Sequence, residues 1–458
     1  MKRVLLININ RCKYPYPVYP LGMSHVANAL AHHDYNVKMF DMGIQDNLLE
    51  DTLMDFVPDF IGLSMRNIDD IRIDNTIYFI PELNQIMKRI RNKTQVPVIL
   101  GGSAYSLFPD RLLKLSHADY GIISEGENAI VQLIGLLSTT EKPSENQLSS
   151  ISGLVYRDND SIKLNTVRPL NPSQITFALR DQTIESYYRD NSGIMNIQTQ
   201  RGCPCRCCYC TYPLIEGSLT RYRPAEQVVS EIIEAKKQGN YYFFIVDSVF
   251  NTNREHVTSI CEEMIRRKAD IKWGCFLKPS NLSNELMKLM ARAGLTHIEF
   301  GSDSFCDTVL YEYCKDFTFD DIFNTSEWAR TNNIYYAHFL ITGGPGETEL
   351  TLQESFENSR RLKKTVIFPF TGMRLFPGTS LYKRALKENI INDTSDCLEP
   401  LFYISPSITK DQIKILLKTF QLKMPNWIID DVPPEIVSVM SRLRTKGIYG
   451  PLWEFLIR

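Results

Sequence analysis

The chain has 458 residues, of which 43% are hydrophobic and 23% charged, and its formal net charge at pH 7 is −2. This composition is that of a globular protein, and the near-neutral charge gives no electrostatic reason to expect nucleic acid or an anionic membrane as a partner. No apolar run approaches the ~20 residues of a membrane span, and no signal-peptide pattern opens the sequence. We therefore expect a cytoplasmic protein of two or three domains whose eleven cysteines stay reduced.

Strand-like and helix-like segments alternate through the first third of the chain, which predicts a Rossmann-like, doubly wound parallel sheet over residues 1–140. The predicted strands are 4–9, 36–40, 60–64, 96–100 and 120–123, and the predicted helices are 20–30, 81–91 and a segment that ends at 137. Ligands of such sheets bind beyond the carboxyl ends of the strands. Small residues are concentrated at those ends: Ser64, Gly101, Gly102, Ser103 and Gly126.

Residues 141–190 are predicted to be a linker that contains a hairpin. Residues 138–152 are rich in Ser, Thr, Glu, Lys and Asn, which is typical of a loop. Residues 153–157 and 162–165 flank the sequence Asp-Asn-Asp, which is a hairpin signal. We place the boundary between the two main domains in this stretch.

The sequence from Arg201 to Cys210 reads R-G-C-P-C-R-C-C-Y-C and holds five of the eleven cysteines. Grouped thiolates suit a soft metal and are the usual ligands of iron–sulfur clusters. Cys203, Cys207 and Cys210 form a C-x3-C-x2-C set, which can hold three irons of a [4Fe–4S] cube and leave the fourth open. Structural zinc would want four ligands in paired groups. Cys205 and Cys208 could be spare ligands, redox partners or neighbours only, and they stay unassigned.

Strands and helices alternate again over residues 191–388, with the cysteine loop directly after the first strand. The predicted strands are 194–198, 242–246, 272–276, 296–300, 334–341 and 371–376, and the predicted helices are 223–237, 254–267, 285–293, 320–331 and 348–363. Six such units predict a partial TIM-type (β/α)6 barrel, in which the carboxyl ends of the strands carry the chemistry. Residues 389–458 are predicted to be a helical C-terminal cap, with helices at 408–422 and 434–443. Its aromatic side chains could touch a substrate or build their own core.

The C-x3-C-x2-C set, with Tyr209 before the last cysteine, resembles the signature of the radical S-adenosylmethionine (SAM) enzymes. Sequences at later strand ends extend the resemblance: VDSVF at 246–250, GSDS at 301–304, GPGET at 344–348 and PGT at 377–379. The family usually has G-x-E-S at the second of these, so Asp303 replaces a glutamate. The resemblance implies a [4Fe–4S] cluster on the three cysteines, a reductant such as flavodoxin or ferredoxin, and SAM contacts from Tyr209, Asp247, Asp303, Ser304, Gly343 and Gly344.

The N-terminal domain resembles the cobalamin-binding domain that precedes the radical module in one subgroup of this family. The matching sequences are PLG at 20–22, VILGG at 98–102 and DYGIISEGE at 119–127. The resemblance implies cobalamin contacts from Ser64, Arg66, Asn67, Gly101, Gly102, Ser103, Glu125 and Gly126. The motif D-x-H-x-x-G is absent from the sequence, so we expect no histidine ligand on cobalt. Arg66 or Asn67 could lie under the corrin; the alternative for Arg66 is an ion pair with Asp69 or Asp70.

These features together predict a cobalamin-dependent radical SAM enzyme, and the commonest chemistry of the subgroup is methylation of an unreactive carbon of a small molecule or peptide. Three alternatives remain: a radical SAM oxidoreductase or cyclase with a degenerate cobalamin domain, a methylthiotransferase of nucleic acid, and a non-catalytic iron–sulfur electron-transfer protein. The second would want a further cluster and a basic extension, which the sequence lacks. The sequence identifies neither the substrate nor a catalytic acid or base.

Overall fold

The computed structural model describes residues 1–12, 16–175, 177–429 and 434–457. The chain forms two compact units, of which the first comprises Met1–Asp70, Thr76–Tyr187 and Leu214–Gly217, and the second Ile71–Asn75, Tyr188–Pro213 and Ser218–Arg458. Within the described ranges, none of the helices has both the length and the apolar character needed to cross a bilayer.

Strands and helices alternate along most of the chain, as the sequence predicts. The strands are β1 (Arg3–Asn8), β2 (Asn36–Asp41), β3 (Phe60–Ser64), β4 (Val98–Gly101), β5 (Tyr120–Ile122), β6 (Leu154–Asp158), β7 (Ser161–Leu164), β8 (Met195–Ile197), β9 (Gln200–Arg201), β10 (Arg221–Tyr222), β11 (Tyr242–Ile245), β12 (Lys272–Leu277), β13 (Leu295–Asp303), β14 (Tyr335–Thr342), β15 (Thr365–Thr371), β16 (Met373–Arg374) and β17 (Phe402–Tyr403). The helices are α1 (Leu21–Ala31), α2 (Met42–Gln45), α3 (Leu49–Phe56), α4 (Ile80–Arg91), α5 (Ser103–Leu107), α6 (Pro109–Ser116), α7 (Glu127–Thr139), α8 (Glu145–Ser149), α9 (Gln182–Ser192), α10 (Tyr212–Glu216), α11 (Ala225–Lys237), α12 (Arg254–Arg266), α13 (Asn284–Arg292), α14 (Asp307–Glu312), α15 (Phe319–Thr331), α16 (Glu349–Ser359), α17 (Ser380–Lys387), α18 (Lys410–Lys423) and α19 (Pro434–Thr445).

The first unit is built on a sheet with the strand order β2-β1-β3-β4-β5-β6-β7. Strands β1 to β5 pair in parallel, which confirms the predicted doubly wound sheet. The hairpin β6–β7 joins this sheet in antiparallel pairing, with Leu154 opposite Ile122, and does not lie in a separate linker. The reason is that Leu154, Val155 and Tyr156 are at most 3% exposed, so the hairpin buries apolar surface while covering the edge of β5.

The second unit contains six parallel strands in the order β15-β14-β13-β12-β11-β8, as expected for a partial barrel. The predicted position of the sixth strand, 371–376, is wrong: β15 spans Thr365–Thr371 and pairs with β14 along its whole length. Gly372 ends this strand because its φ of +79° turns the chain in a left-handed conformation that favours glycine. The residues that follow form β16, which pairs with β17 instead.

Two of the C-terminal aromatics, Trp427 and Trp453, pack against barrel residues in the core of the second unit and do not build a separate core of their own. Trp427 is fully buried, and its indole N–H donates to Ser359 Oγ at 3.2 Å. Trp453 is 6% exposed and packs against Ala337 and Val366 of the barrel strands. The tail therefore stabilises the barrel by burying large apolar side chains.

Candidate functional site

The cysteine loop begins where β9 ends, and backbone hydrogen bonds attach it to two other strand-end segments. Gly202, with φ of +88°, turns the chain out of the strand. The Cys208 N–H donates to Tyr313 O at 3.1 Å, and the Leu381 N–H donates to Cys208 O at 2.8 Å. The loop is thereby fixed between the segments after β13 and after β16.

Asp247 supports the entry to this loop. It is fully buried after β11, and its Oδ1 accepts the N–H groups of Thr199 at 2.7 Å and Gln200 at 3.2 Å. The Thr199 hydroxyl bonds both Asp247 Oδ2, at 2.5 Å, and His256 Nε2, at 2.9 Å. Asp247 thus orders the residues just before the cysteines, and its direct contact with SAM stays a prediction.

The thiols of Cys203, Cys207 and Cys210 are close enough for a charge on one to raise the pKa of another. Cys203 is 4% exposed. Burial raises the pKa of the Cys207 thiol above its ordinary value and that of Cys210 to about 12. Cys207 and Cys210 are half-buried, and thiols whose pKa is raised in this way stay protonated until a metal replaces the proton. In the described ranges, no three His, Cys, Asp or Glu side chains converge on one ion. The predicted cluster is matched by the type and number of donors, because a cube takes one thiolate per iron and this loop provides three thiols at the predicted spacing.

Lys315 connects the cysteine loop to the end of β13. Its ammonium donates to Cys207 Sγ at 3.4 Å and forms an ion pair with Asp303 Oδ2, which also accepts the Tyr209 hydroxyl at 2.5 Å. Burial acts to lower the pKa of Lys315, but the Asp303 carboxylate and the Cys207 thiol outweigh it and hold that pKa above its ordinary value. The structure therefore brings together Tyr209 and Asp303, two predicted SAM contacts, around a cation that the sequence did not single out.

The turn after β14 is closed by a buried carboxyl group. The Gly343 N–H donates to Glu347 Oε2, and the Gly344 N–H donates to the Tyr313 hydroxyl at 3.2 Å. A Cβ on Gly344 would lie 2.4 Å from that hydroxyl oxygen, so any larger residue would displace the Tyr313 side chain. Ser304, the remaining predicted SAM contact, is 3% exposed, and its hydroxyl lies 3.2 Å from that of Ser355.

Glu347 should make stability depend on pH. Desolvation raises the pKa of this carboxyl to about 8, although the Gly343 and Gly344 amides oppose the shift. Between pH 4.5 and 8 the unfolded chain loses this proton while the folded chain keeps it, so stability falls as pH rises, by up to about 1.4 kcal/mol per pH unit. We expect Glu347→Gln to remove the contribution of this one carboxyl from the pH dependence of the free energy of unfolding, measured by urea unfolding at several pH values. Glu349→Gln, which changes an exposed carboxyl two residues later, is the control. If the pH dependence of the free energy of unfolding were the same in Glu347→Gln as in the wild type, the raised pKa of Glu347 would be contradicted.

In the first unit, the loop after β3 and the turn after β4 form one hydrogen-bonded structure. The Met65 N–H donates to Gly101 O at 2.8 Å, and the Ser103 hydroxyl donates to Arg66 O at 2.9 Å. Ser64 and Gly101 are paired at the ends of their strands. Gly102 has φ of +104°, and a Cβ there would lie 2.4 Å from Met65 O. This close approach of two loops explains the glycine pair at this position.

The predicted cobalamin residues lie at the carboxyl ends of the neighbouring strands β3, β4 and β5. Asn67 Oδ1 is buried and accepts no hydrogen bond from the described residues, which marks a place where a bound group could donate one. The Arg66 side chain is exposed and forms no ion pair with a described residue, so the alternative role as a partner of Asp69 or Asp70 is not supported. Glu125 accepts the Leu170 N–H at 2.6 Å, and Gly126 precedes α7. These residues fit a polar ligand at this edge.

Three residues of the second unit take part in the site without having been predicted: Lys315, Tyr313 and Thr199. Lys315 and Tyr313 follow a short helix in a stretch with no motif. Thr199 precedes the cysteines, yet only its contact with Asp247 shows what it does. Lys315 stands beside Asp316 and close to Glu312 in the sequence, so its charge gave no signal that set it apart.

Two family models match the chain: the Radical SAM superfamily at residues 197–358 and the B12 binding domain at residues 7–134. The chain is 23% identical to an uncharacterized methyltransferase of Pyrococcus horikoshii over 429 residues, which cover 90% of each protein. It is 23% identical to the tryptophan 2-C-methyltransferase of Streptomyces laurentii over 446 residues, covering 83% of this chain and 74% of that one.

Among solved structures, the chain resembles the radical SAM methyltransferase TsrM from Kitasatospora setae, which was solved with cobalamin and a [4Fe–4S] cluster bound. The TM-score is 0.88 at 22% identity, and the match covers 100% of this chain and 97% of that one. A likeness at this identity shows that the two chains share a fold.

Proposed function

The chain belongs to the family of radical SAM enzymes that carry a B12-binding domain, and from that premise we propose that it is a methyltransferase acting on a carbon atom of a small molecule. As a member of this family it is a cobalamin-dependent radical SAM enzyme whose cofactors are a [4Fe–4S] cluster, SAM and cobalamin. The predicted electron donor for the cluster is a flavodoxin or ferredoxin.

One observation supports methyl transfer above all: a single chain has both the cysteine loop after β9 and the cradle after β3 and β4, meaning the hydrogen-bonded loops at residues 64–67 and 101–103. When bound, SAM on a reduced cluster supplies a reactive carbon radical, and cobalamin carries a methyl group. A methyltransferase of this kind needs both sites, one for the radical and one for the methyl carrier. The two similar curated proteins above are both named as methyltransferases, which agrees with this proposal.

The residues of the two sites have separate tasks in this proposal. Cys203, Cys207 and Cys210 hold iron, and the turn at Gly343 and Gly344 lets a ligand approach the backbone closely. In the first unit, the Gly102 turn holds the loop after β3 in position, and the buried Asn67 oxygen provides a hydrogen-bond acceptor. The 4% exposure of Asp303 restricts water, which strengthens electrostatic interactions there.

The barrel also offers an apolar surface for a substrate. Phe339 stacks on Phe368 and on Phe370, with ring centroids 5.1 and 6.2 Å apart. Residues alternate between faces along a strand, so these rings share a face with Ala337 and Val366, which Trp453 covers. Phe370, nearest the carboxyl end of its strand, is 40% exposed. The exposed aromatic surface supports a substrate with an apolar or ring-containing part.

Anaerobic incubation with hydroxocobalamin, a reductant and SAM labelled in its methyl group tests the proposal. We expect S-adenosylhomocysteine and, with the right substrate, a product that carries the labelled methyl. Labelled product with 5′-deoxyadenosine indicates methylation through a substrate radical, and labelled product without it indicates polar methylation of a nucleophilic carbon. 5′-Deoxyadenosine with neither labelled product nor S-adenosylhomocysteine would overturn methyl transfer in favour of a radical oxidoreductase or cyclase.

Arg66→Ala should change the bound cobalamin. We place the exposed Arg66 guanidinium near cobalt as a prediction, because a positive charge there disfavours an additional metal ligand and favours the reduced metal. The expected result is an altered absorption spectrum of the bound cobalamin and at least about a tenfold loss of methyl transfer, which is about 1.4 kcal/mol. Arg66→Lys, which keeps the charge, should retain more of both. An unchanged spectrum and turnover in Arg66→Ala would remove Arg66 from the site.

A further inference from the structure

Lys315 occupies a position that none of the sequence motifs accounts for. Its side chain is 7% exposed, and its ammonium contacts both Cys207, a predicted iron ligand, and Asp303, which ends β13. We propose that Lys315 is a positioning residue of the radical site: it attaches the cluster loop to β13 and raises the reduction potential of the cluster by placing a fixed positive charge beside one thiolate ligand. The inference rests on the family's cluster and not on methyl transfer.

The ammonium is held in place from several sides. Besides its two polar partners, it lies over the rings of Tyr209 and Phe317, 5.5 and 5.8 Å from their centroids. Such cation–π contacts contribute on the order of 1 kcal/mol each and fix the end of a long flexible side chain. Tyr209 is itself hydrogen bonded to Asp303, so the cation, the carboxylate and the ring restrain one another. A side chain held in this way gives a constant electrostatic contribution.

The backbone around Asp303 supports the same interpretation. Asp303 has φ of +63°, a left-handed conformation that residues other than glycine rarely adopt. Strain of this kind persists only where surrounding contacts compensate for it. The ion pair with Lys315 is such a contact within the β13–β14 connection, and the hydrogen bond from Lys315 to Cys207 Sγ extends it to the cysteine loop. Lys315 therefore determines where the Asp303 carboxylate lies relative to the cysteine loop.

The charges of Lys315, Cys207 and Asp303 predict that Lys315 raises the reduction potential of the cluster. Once Cys207 ligates iron it is a thiolate, so one ammonium faces two anions, Cys207 and Asp303. Reduction adds a further negative charge to the cluster, and a nearby cation stabilises that charge, more strongly in a buried site than in water. Hydrogen bonds to cluster sulfur atoms also raise the reduction potential. Both contributions disappear when the ammonium is removed.

The test is a redox titration of the reconstituted enzyme, followed by EPR of the reduced cluster, without substrate. We expect Lys315→Met, which keeps the length of the side chain, to disfavour one-electron reduction at least about tenfold, a shift of about 59 mV to more negative potential. Lys315→Arg should stay near the wild type. Lys278→Met tests whether direct contact matters, because Lys278 is also largely buried and pairs with Asp316 at 2.5 Å. Its charge acts on Cys205 of the same loop, so removing it should shift the potential much less than removing Lys315, which contacts Cys207.

A shift in Lys278→Met as large as that in Lys315→Met would show a general charge effect and overturn the proposal. So would a Lys315→Met protein with full iron content and the wild-type potential. If Lys315→Met does not fold because Asp303 is left unpaired, the comparison is made between Asp303→Asn and the double variant Asp303→Asn with Lys315→Met. The same negative shift is expected there, and its absence would contradict the proposal. A failure to transfer methyl groups would leave these potentials unaffected, so the two proposals fail separately.

Discussion

Replacement of Cys203, Cys207 or Cys210 by alanine is expected to abolish the iron–sulfur cluster and, with it, SAM cleavage. Each cysteine supplies the one thiolate of one iron, and a buried thiol that is lost has no replacement in the C-x3-C-x2-C set. Iron and sulfide content after anaerobic reconstitution should fall to the level of unreconstituted protein, and 5′-deoxyadenosine and S-adenosylhomocysteine should fall to background. This is the largest effect that we expect from a single substitution.

Cys205→Ala is the matched control for the three ligands. The Cys205 thiol lies on the same loop and is hydrogen bonded to Cys203, which raises its pKa, with burial adding to the shift. It lies outside the predicted ligand spacing, so the variant should retain most of its iron. A Cys205→Ala protein without iron, beside a Cys207→Ala protein that keeps it, would show that the ligand set is wrong.

Gly102→Ala is expected to weaken cobalamin binding strongly. The backbone at Gly102 has φ of +104°, and an added Cβ would lie 2.4, 2.8 and 2.9 Å from the O, C and N atoms of Met65. These are backbone atoms, so the loop after β3 must move, and a left-handed alanine adds strain of order 1 kcal/mol or more. We expect at least a tenfold weaker cobalamin affinity in equilibrium dialysis, and a first unit destabilised by a few kcal/mol in urea unfolding monitored by circular dichroism.

Gly22→Ala controls for the loss of a glycine as such. Gly22 lies in α1, and a Cβ there would meet nothing within 4 Å. Gly22 is the second residue of α1, where alanine favours the helix over glycine by less than the ~1 kcal/mol of a helix interior, so this variant should bind cobalamin normally and be at least as stable. If Gly102→Ala bound cobalamin as tightly as Gly22→Ala does, the cradle after β3 and β4 would not be the cobalamin site.

The sequence determined the features that depend on local pattern. Apolar runs separated by amphipathic helices specify parallel strands, so the first sheet and the six-stranded barrel sheet follow from periodicity. The cluster ligands are equally local, because three cysteines within eight residues can reach one cube from a single loop. Gly102 and Gly344 could also be singled out from their positions at strand ends, although only the structure shows which atoms a Cβ would meet.

Tertiary packing decided the rest. The strand prediction at 371–376 failed because pairing with β14 selects Thr365–Thr371, and register is a property of two strands. The hairpin at β6–β7 belongs to the first sheet because β5 offers an open edge, which no local signal reveals. Lys315 and Cys207 are 108 residues apart, and Tyr209 and Asp303 are 94 apart. Spacing along the chain specified which side chains can hold iron, whereas the charge beside them was decided by which strand ends meet in the folded barrel.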